Sequence, residues 1–249
     1  MGEGEGGLTY RKLLWGGIFV GVLLVAMLVK GAWSIYADGQ KKPIPKEFQA
    51  ALQVVPEYVA SARQNDTEEN RAKLREAGRS VQEVMDRLYG SRKVSLHPWP
   101  LWGGEPDLDA AADKIAFTAV RFKKYRVIDY TKMDIYLIDL HKMALIQLTA
   151  DSRYDSSPKV SPGGRFVAYL NDSAGDSPEL MVVKADGSSL ARVAAGVAAD
   201  FQWRGEQELR FRVEPASSGR TAGKGGGRTM IARLSSSGKV IELRDAPGY

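Results

Sequence analysis

The sequence predicts a membrane-anchored chain with a short helical hairpin and a mainly-β domain outside the bilayer. Three observations support this fold class. An uncharged apolar run covers Leu13–Val29, an amphipathic helical pattern covers residues 46–90, and short alternating strands separated by turns fill residues 114–249. Residues 1–12 are expected to form a short N-terminal tail, and the part after the anchor has room for one medium-sized domain or two small ones.

The apolar run is long enough to cross most of a bilayer. At about 1.5 Å per residue it spans roughly 25 Å, and extension through Lys30 to Trp33 reaches the ~30 Å hydrocarbon core, because a terminal lysine can snorkel. Trp33 and Tyr36 then lie where aromatic rings favour the headgroup region. We expect a retained single transmembrane helix over residues 13–36. A cleaved signal peptide is the alternative, although its apolar core normally has about 7–15 residues.

Two glycines give this predicted helix a surface for packing. Gly17 and Gly21 are four residues apart, and small residues at this spacing let a second helix approach closely in lipid. Glycine is also simply common in membrane helices, which is the alternative explanation. We predict that Gly17 and Gly21 are helix-packing residues.

A helical hairpin is predicted over residues 46–90, after a polar linker over residues 37–45. Pro56 is expected to kink or split the first helix. Asp66 or Thr67 is expected to cap the second helix. The apolar stripe of the second helix is expected to be a packing face and consists of Leu74, Ala77, Val81, Val84, Met85 and Leu88.

Residues 91–113 are predicted to form a loop, because they are rich in proline and tryptophan. Trp99 and Trp102 either pack onto their own domain or anchor an interface, as exposed tryptophan often does. We assign them as candidate partner-docking residues and leave both outcomes open. His97 lies in this loop and His141 in a predicted turn, and both are expected to be surface or structural residues.

From Lys114 onward the pattern changes to short strands that repeat. The segment Ile115–Thr118 corresponds to Val167–Leu170, and Asp134–Asp139 corresponds to Glu179–Lys184. The offset of about 40–50 residues is the length of one four-stranded propeller blade. A compact β-sandwich-like arrangement is the alternative.

The best-preserved repeat, Asp134–Gly187, resembles the TolB-like propeller family. It contains DIYLIDL, QLTAD, SPKVSPGGRFVAY and ELMVVKADGS, where the family typically has an S-P-x-x-S-P-D-G turn before an apolar strand. Gly163 replaces the aspartate of that turn, and the third repeat has Gln202–Gly205 in its place. The resemblance implies a TolB-like β domain over residues 114–249, of a type that typically binds other proteins.

The repeats provide about three blades, whereas propellers close with roughly 4–8. Three blades are expected to leave edge strands and one apolar blade face uncovered. The helical hairpin, the Trp/Pro-rich loop, another copy or a different protein would have to cover them. We favour an open, partial propeller packed on a partner.

Composition and motifs argue against several classes of function. The chain has no cysteine, which excludes disulfides and thiolate metal sites. Its net charge of +5 comes from scattered lysine and arginine, so nucleic-acid binding is not expected. The glycine-rich basic segment Ser217–Arg228 lacks the spacing of a phosphate-binding loop. We expect no cofactor and no enzymatic activity, since the chain has neither G-x-S-x-G nor H-E-x-x-H.

The expected function is that of a non-catalytic, membrane-anchored accessory or scaffold subunit. It would stabilise a larger membrane complex, for example a photosynthetic reaction-centre/antenna, respiratory or envelope assembly, with the bilayer and other subunits as its partners. The alternative is an envelope ligand- or ion-binding sensor that uses the propeller face. Carboxylates for a hard cation would come from Asp134, Asp139, Asp151, Asp155, Asp172 and Asp176.

Charge and domain type give different orientations for the anchor. The lysines that follow the apolar run outnumber the basic residues before it, which places the domain in the cytoplasm by the positive-inside rule. The TolB-like resemblance implies the periplasm instead. We expect a single-pass protein of the bacterial inner membrane, with its large domain in the periplasm.

Overall fold

The computed structural model of the protein describes residues 41–90, 93–97, 105–122, 128–150, 153–172, 178–197, 200–214 and 227–246. The predicted transmembrane helix over residues 13–36 lies outside this part of the chain. Four predicted site residues also lie outside it: Gly17, Gly21, Trp99 and Trp102. Within the described part, no helix is both long and apolar enough to cross a membrane. The fold below is that of the unit Lys42–Tyr249.

The helices precede almost all of the strands. A 3-10 turn at Lys46–Phe48 leads into α1 (Gln49–Gln53), α2 (Val55–Gln64) and α3 (Glu68–Tyr89). The described strands are β1 (Lys41–Pro43), β2 (Val94–Leu96), β3 (Leu108–Ala111), β4 (Lys114–Phe122), β5 (Ile128–Asp139), β6 (Ala144–Gln147), β7 (Tyr154–Val160), β8 (Phe166–Asp172), β9 (Glu179–Lys184), β10 (Leu190–Ala195), β11 (Gln202–Gly205), β12 (Glu208–Val213), β13 (Arg228–Leu234) and β14 (Val240–Asp245).

The helices begin and end where local sequence signals place them. Pro56 lies in the first turn of α2, so the chain breaks between α1 and α2. Thr67 caps α3, because its Oγ1 accepts a hydrogen bond of 3.2 Å from the Asn70 N–H. Asp66 instead pairs with Arg71 at 2.6 Å. The apolar stripe of α3 is buried at Ala77, Val81, Val84 and Met85.

The strands form three successive four-stranded antiparallel meanders, which we call blades 1, 2 and 3. Blade 1 is β3–β4–β5–β6, blade 2 is β7–β8–β9–β10 and blade 3 is β11–β12–β13–β14. One parallel bridge, between Met133 and Tyr154, joins blades 1 and 2, and β1 and β2 add to blade 1. The mainly-β domain predicted from the repeats is confirmed, and each meander has the strand number of a propeller blade.

The first strand of each blade is one that the sequence pattern does not predict. Both β2 and β3 lie inside residues 91–113, so the β structure begins earlier than the predicted boundary. In β7, a bulge between Ser156 and Lys159 accommodates Pro158, with Ser157 at φ 55°. Proline and polar residues are tolerated in a strand at such a bulge. The prediction of an irregular loop throughout 91–113 is therefore wrong at β2 and β3.

The predicted linker over residues 37–45 joins the domain from Lys42 onward. β1 pairs with β6, and the buried Ile44 donates its N–H to the Met143 carbonyl at 2.8 Å. The polar composition of this segment indicates a solvated linker, but backbone pairing and one buried side chain fix its end to blade 1. The linker prediction is corrected for this part.

The helices cover the outer face of blade 1. Leu52, Val55 and Val81 share one buried apolar cluster with Ile115 and Phe117. Complete burial of a large apolar side chain is worth about 1.5–3 kcal/mol, so this layer contributes strongly to the stability of the domain. The apolar blade face that the repeats leave uncovered is closed at this end by the helical hairpin of the same chain.

Two further apolar layers join neighbouring blades. Ile135 of blade 1 packs in one cluster with Tyr169 of blade 2. Phe166 of blade 2 packs in another with Leu209 and Phe211 of blade 3. The order of layers is therefore helices, blade 1, blade 2 and blade 3.

Carboxylates from β3 hold blade 2 against blade 1. Asp109 accepts a hydrogen bond from the Val160 N–H of β7 at 2.7 Å. Asp107, just before β3, accepts one from the Ser157 N–H at 2.9 Å. Hydrogen bonds to charged acceptors are stronger than hydrogen bonds between neutral groups, so these contacts hold β3 and β7 side by side. We call β3, β7 and β11, the first strands of the three blades, the inner strands.

Glu206 explains why glycine stands at position 163. Its carboxylate, in the turn between β11 and β12, accepts hydrogen bonds from Ser161 Oγ at 2.9 Å and from the Gly163 N–H. A Cβ at position 163 would lie 2.6 Å from the Glu206 carboxylate. A side chain at position 163 would therefore displace the end of the Glu206 side chain, whose hydrogen bonds join blade 3 to blade 2.

Candidate functional site

A cleft opens where β3, β7 and the start of blade 3 run side by side. Its volume is about 560 Å³. The charged residues of its lining are Arg63 from α2, Asp109 from β3 and Lys159 from β7, and Phe201 and Trp203 supply an aromatic wall. The cleft is thus assembled from a helix and all three blades.

An ion pair forms one wall of this cleft. Arg63 pairs with Asp109, whose side chain is 1% exposed, whereas that of Arg63 is 46% exposed. Burial lowers the pKa of the Arg63 guanidinium. Because Asp109 also accepts the Val160 N–H, its two oxygens have separate partners. The pair links the helical layer to the inner strands.

Lys159 places a second cation in the cleft. Burial lowers the pKa of its amine, and the charge of Arg63 lowers it further, while Asp107 acts in the opposite direction. The Lys159 carbonyl accepts a hydrogen bond of 2.9 Å from Trp203 Nε1, which fixes the indole ring against β7. The described lining residues offer charge and an aromatic wall rather than a nucleophile beside a base.

Asp151 and Asp176 lie outside the described residues, and the other four predicted carboxylates do not converge on a cation site. Three of them are buried and have separate partners: Asp134 accepts from Gln147, Asp139 contacts Lys114 and Asp155 accepts from Asn171. Among the residues that the structure describes, no group of three or more His, Asp and Glu could hold a metal ion. The described residues therefore give the ion-sensor alternative no site.

The two histidines have different surroundings. The His97 N–H donates to the Thr118 carbonyl at 2.8 Å, and the His97 carbonyl accepts from the Asp107 N–H at 2.7 Å. His97 is half-buried beside Asp107, whereas His141 is exposed in the turn between β5 and β6. Neither belongs to the described lining of the cleft.

His97 should make the stability of the domain depend on pH. Burial lowers the pKa of its imidazole, and Asp107 offsets this in part. A folded-state pKa below the unfolded value means that the contribution to stability is complete above about pH 6.5 and is lost as pH falls through the folded pKa. We expect the thermal midpoint to fall between about pH 7 and about pH 5, and to fall less in His97→Gln. Melting curves at each pH, followed by circular dichroism, measure this; parallel declines in both proteins would contradict it.

Blade 3, the last of the three blades, has a charged sheet face. The registers of β12, β13 and β14 place one set of side chains on the other side of the sheet from the buried Leu209, Phe211 and Ala232. This arginine face consists of Glu208, Arg210, Arg212, Thr229, Ile231, Arg233, Glu242 and Arg244. Its four arginines and two glutamates leave an excess of two positive charges. The expectation of an uncovered apolar blade face is therefore wrong at this end.

The arginine face adjoins exposed apolar side chains at the edge of blade 3. Arg244 contacts Glu242 at 3.3 Å and reaches Glu208 at 3.9 Å, so part of the charge is neutralised within the face. The last strand, β14, exposes 61% of Ile241 and 49% of Leu243. Arginine beside apolar side chains is a composition typical of protein interfaces.

Comparison with known proteins gives partial likenesses in structure alone. No protein-family profile matches the sequence, and no curated protein matches it either. Similar solved structures include the β-propeller domain of the trilobed protease from Pyrococcus furiosus, with 15% identity and a TM-score of 0.38 over 57% of this chain and 42% of that one. An acylaminoacyl peptidase from Pyrococcus horikoshii has 15% identity and a TM-score of 0.39 over 57% of this chain and 25% of its own.

TolB from Acinetobacter baumannii is also similar, with 12% identity and a TM-score of 0.35 over 72% of this chain and 47% of its own. The chain thus spans less than half the length of each of these three structures. The blade assignment above depends on strand order and register within this chain.

Sequence reasoning misses the cleft and the arginine face. Arg63, Asp109 and Lys159 are far apart in the sequence and meet through the packing of α2, β3 and β7. The arginine face has a visible signal, because Glu208–Val213 reads ELRFRV and alternates charged with apolar residues. That alternation shows two faces, but which face is covered depends on the neighbouring blade.

Proposed function

We propose that this protein is a non-catalytic, membrane-anchored accessory subunit that stabilises a larger membrane complex. The observation that supports it is a difference between the two ends of the row of three blades. Helices of the same chain close the blade 1 end, whereas the blade 3 end presents the arginine face and the exposed edge of β14. The partner is a neighbouring subunit that presents acidic groups to this face.

The size of the arginine face argues for a second attachment. Three strands about 4.8 Å apart, each with about six residues at about 3.3 Å, give a face of roughly 300 Å². A stable interface needs about 800 Å² from each partner. The proposed membrane helix supplies the second contact through Gly17 and Gly21, and Trp99 and Trp102 remain proposed docking residues.

Joining two weak contacts in one chain raises their combined strength. Once the membrane helix is packed in the complex, the blade domain binds at an effective concentration in the millimolar range. The TolB-like resemblance supports the periplasmic side of a bacterial inner membrane for this domain. The exposed charges then act mainly on specificity and association rate.

Charge reversal in the arginine face tests this proposal. In Arg212→Glu/Arg233→Glu, two exposed arginines on adjacent strands become repulsive toward an acidic partner. We expect the fraction of the chain that migrates with the native complex, after extraction in mild detergent, to fall about tenfold or more.

The matched control for this experiment is Arg79→Glu. Arg79 is exposed on α3 and pairs with Glu76, away from blade 3. Retention of the Arg79→Glu protein at the wild-type level, with unchanged melting of all variants, attributes the loss to the arginine face. Equal retention of all three proteins would contradict the proposal for this face.

A further inference from the structure

We infer that a second surface of the domain lies on the bilayer and binds the phosphate groups of anionic lipid headgroups. This basic surface consists of Lys41, Lys42, Arg87 and Lys93. The inference depends on the proposed function, because it requires the N-terminal membrane helix.

The basic surface is built around the C-terminal end of α3. Lys42 Nζ donates to the Leu88 carbonyl at 3.1 Å and lies 3.6 Å from the centroid of the Tyr89 ring. Lys93 follows the helix closely, since its N–H donates to the Gly90 carbonyl at 3.1 Å. Burial lowers the pKa of the Lys42 amine and the charge of Lys93 lowers it further, as expected for neighbouring cations.

Two nearby acidic groups have partners within the domain, whereas Glu83, one turn before Arg87 on α3, is exposed. Asp86, in the same turn of α3 as the exposed Arg87, accepts a hydrogen bond from Gln82 at 2.9 Å. Asp134 is buried and accepts from Gln147. The four basic residues of this surface outnumber Glu83 and Asp86, so the net charge at this end of α3 is positive, which is complementary to a surface of lipid phosphates.

The length of the connecting chain brings this surface to the membrane. The predicted helix ends near Tyr36, and Lys42 is already part of the folded domain. Six residue steps reach at most about 20 Å. A domain of this size is on the order of 40 Å across, so the side that carries Lys42 is the side that can approach the bilayer.

The chain joins the domain close to the basic surface. β1 pairs with β6 and Ile44 is buried, so Lys42 has a fixed position in the domain. A basic residue close to an anionic membrane strengthens association roughly fivefold. The basic surface would therefore hold the domain in one orientation, with the arginine face free for a protein partner.

Single-cysteine labelling tests this orientation directly, since the chain has no cysteine of its own. The near label is placed at Glu83→Cys on α3, and the far label at Ser188→Cys between β9 and β10. The labels are meant to lie near opposite ends of β4. At one end Phe122 contacts Lys93 of the basic surface, and at the other end Lys114 lies beside the β7–β8 turn.

The far label belongs to that second end, because the Ala185 N–H, just before the β9–β10 turn, donates to the Arg165 carbonyl of the β7–β8 turn. The length of β4 separates the two ends by about 26 Å.

The full chain is reconstituted in nanodiscs that carry a quencher on the lipid headgroups. One set contains phosphatidylcholine, and the other contains phosphatidylcholine with phosphatidylglycerol. We expect the near label to be quenched at least threefold more than the far label in the anionic discs. The ratio of near-label to far-label quenching should approach one in Lys42→Gln/Lys93→Gln and remain high in the control Lys142→Gln/Lys239→Gln.

Three outcomes would overturn the inference. Stronger quenching of the far label would place the wrong end on the membrane. Equal ratios in neutral and anionic discs, or in the two double variants, would remove headgroup recognition while leaving the proposed subunit function intact. Loss of the wild-type chain from the discs would contradict the membrane helix, and with it both proposals. Melting curves of each variant confirm that the domain is folded.

Discussion

Replacing Leu52 with alanine is expected to lower the free energy of unfolding by about 2–5 kcal/mol. Leu52 is 0% exposed and lies in the layer between the helices and blade 1, in one cluster with Val81 and Phe117. The substitution removes apolar burial and leaves a cavity that packed helices and a sheet close poorly. Urea unfolding of the full chain in detergent, followed by circular dichroism, measures the change.

Leu190→Ala is the matched control, because Leu190 is 56% exposed on β10. A surface substitution of this kind should change stability by no more than about 0.5 kcal/mol. If Leu52→Ala were as mild as Leu190→Ala, the helices would not be an integral cover of blade 1. The statement that the helical layer closes the blade 1 end of the domain would then be wrong.

Replacing Asp109 with alanine is expected to cost about 2–4 kcal/mol. The change removes the partner of Arg63 and leaves the Val160 N–H of β7 without its acceptor. Arg63 is partly exposed and can reach water, so the loss should be smaller than for a fully buried ion pair. The same urea titration measures it.

Asp113→Ala serves as the control for Asp109→Ala. Asp113 follows β3 closely, pairs with Lys114 and is 46% exposed. Exposed ion pairs contribute about 0–1 kcal/mol, so Asp113→Ala should be mild. Similar losses in both variants would show that Asp109 does not hold the helical layer and the inner strands together.

The sequence predicts the elements whose signals are local. Pro56 separates two helices and Thr67 caps the third, as the pattern indicates. The strands of the predicted repeats, such as β4 and β8, are also found where they are predicted. In these cases the residues that decide the structure are within a few positions of each other.

The inner strands are missed because their side chains do not alternate simply between a core and solvent. β7 reads YDSSPKV, with a proline at a bulge, and its backbone N–H groups bind Asp107 and Asp109 from a different blade. β11 is four residues long and reads QWRG. Such strands are specified by their neighbours in the fold, so a single-sequence pattern does not reveal them.

The two candidate surfaces differ in how far the sequence leads to them. The cleft joins Arg63, Asp109 and Lys159 through tertiary packing, and no local motif marks it. The basic surface has a visible part in Lys41 and Lys42, but its position depends on α3 and Lys93. The three blades counted from the repeats are present in the described strands, whereas the chemistry of the blade 3 face required the registers of β12 to β14.

The central claim is that the chain binds one membrane complex through two separate attachments. Its most direct test compares four proteins in mild detergent: wild type, Gly17→Leu/Gly21→Leu, Arg212→Glu/Arg233→Glu, and the combination of both pairs. We expect the wild type to migrate in an assembly much larger than its own 27.3 kDa. Each pair of substitutions should weaken this association, and the combination should abolish it. Migration of the wild type as a single 27.3 kDa chain would contradict the account.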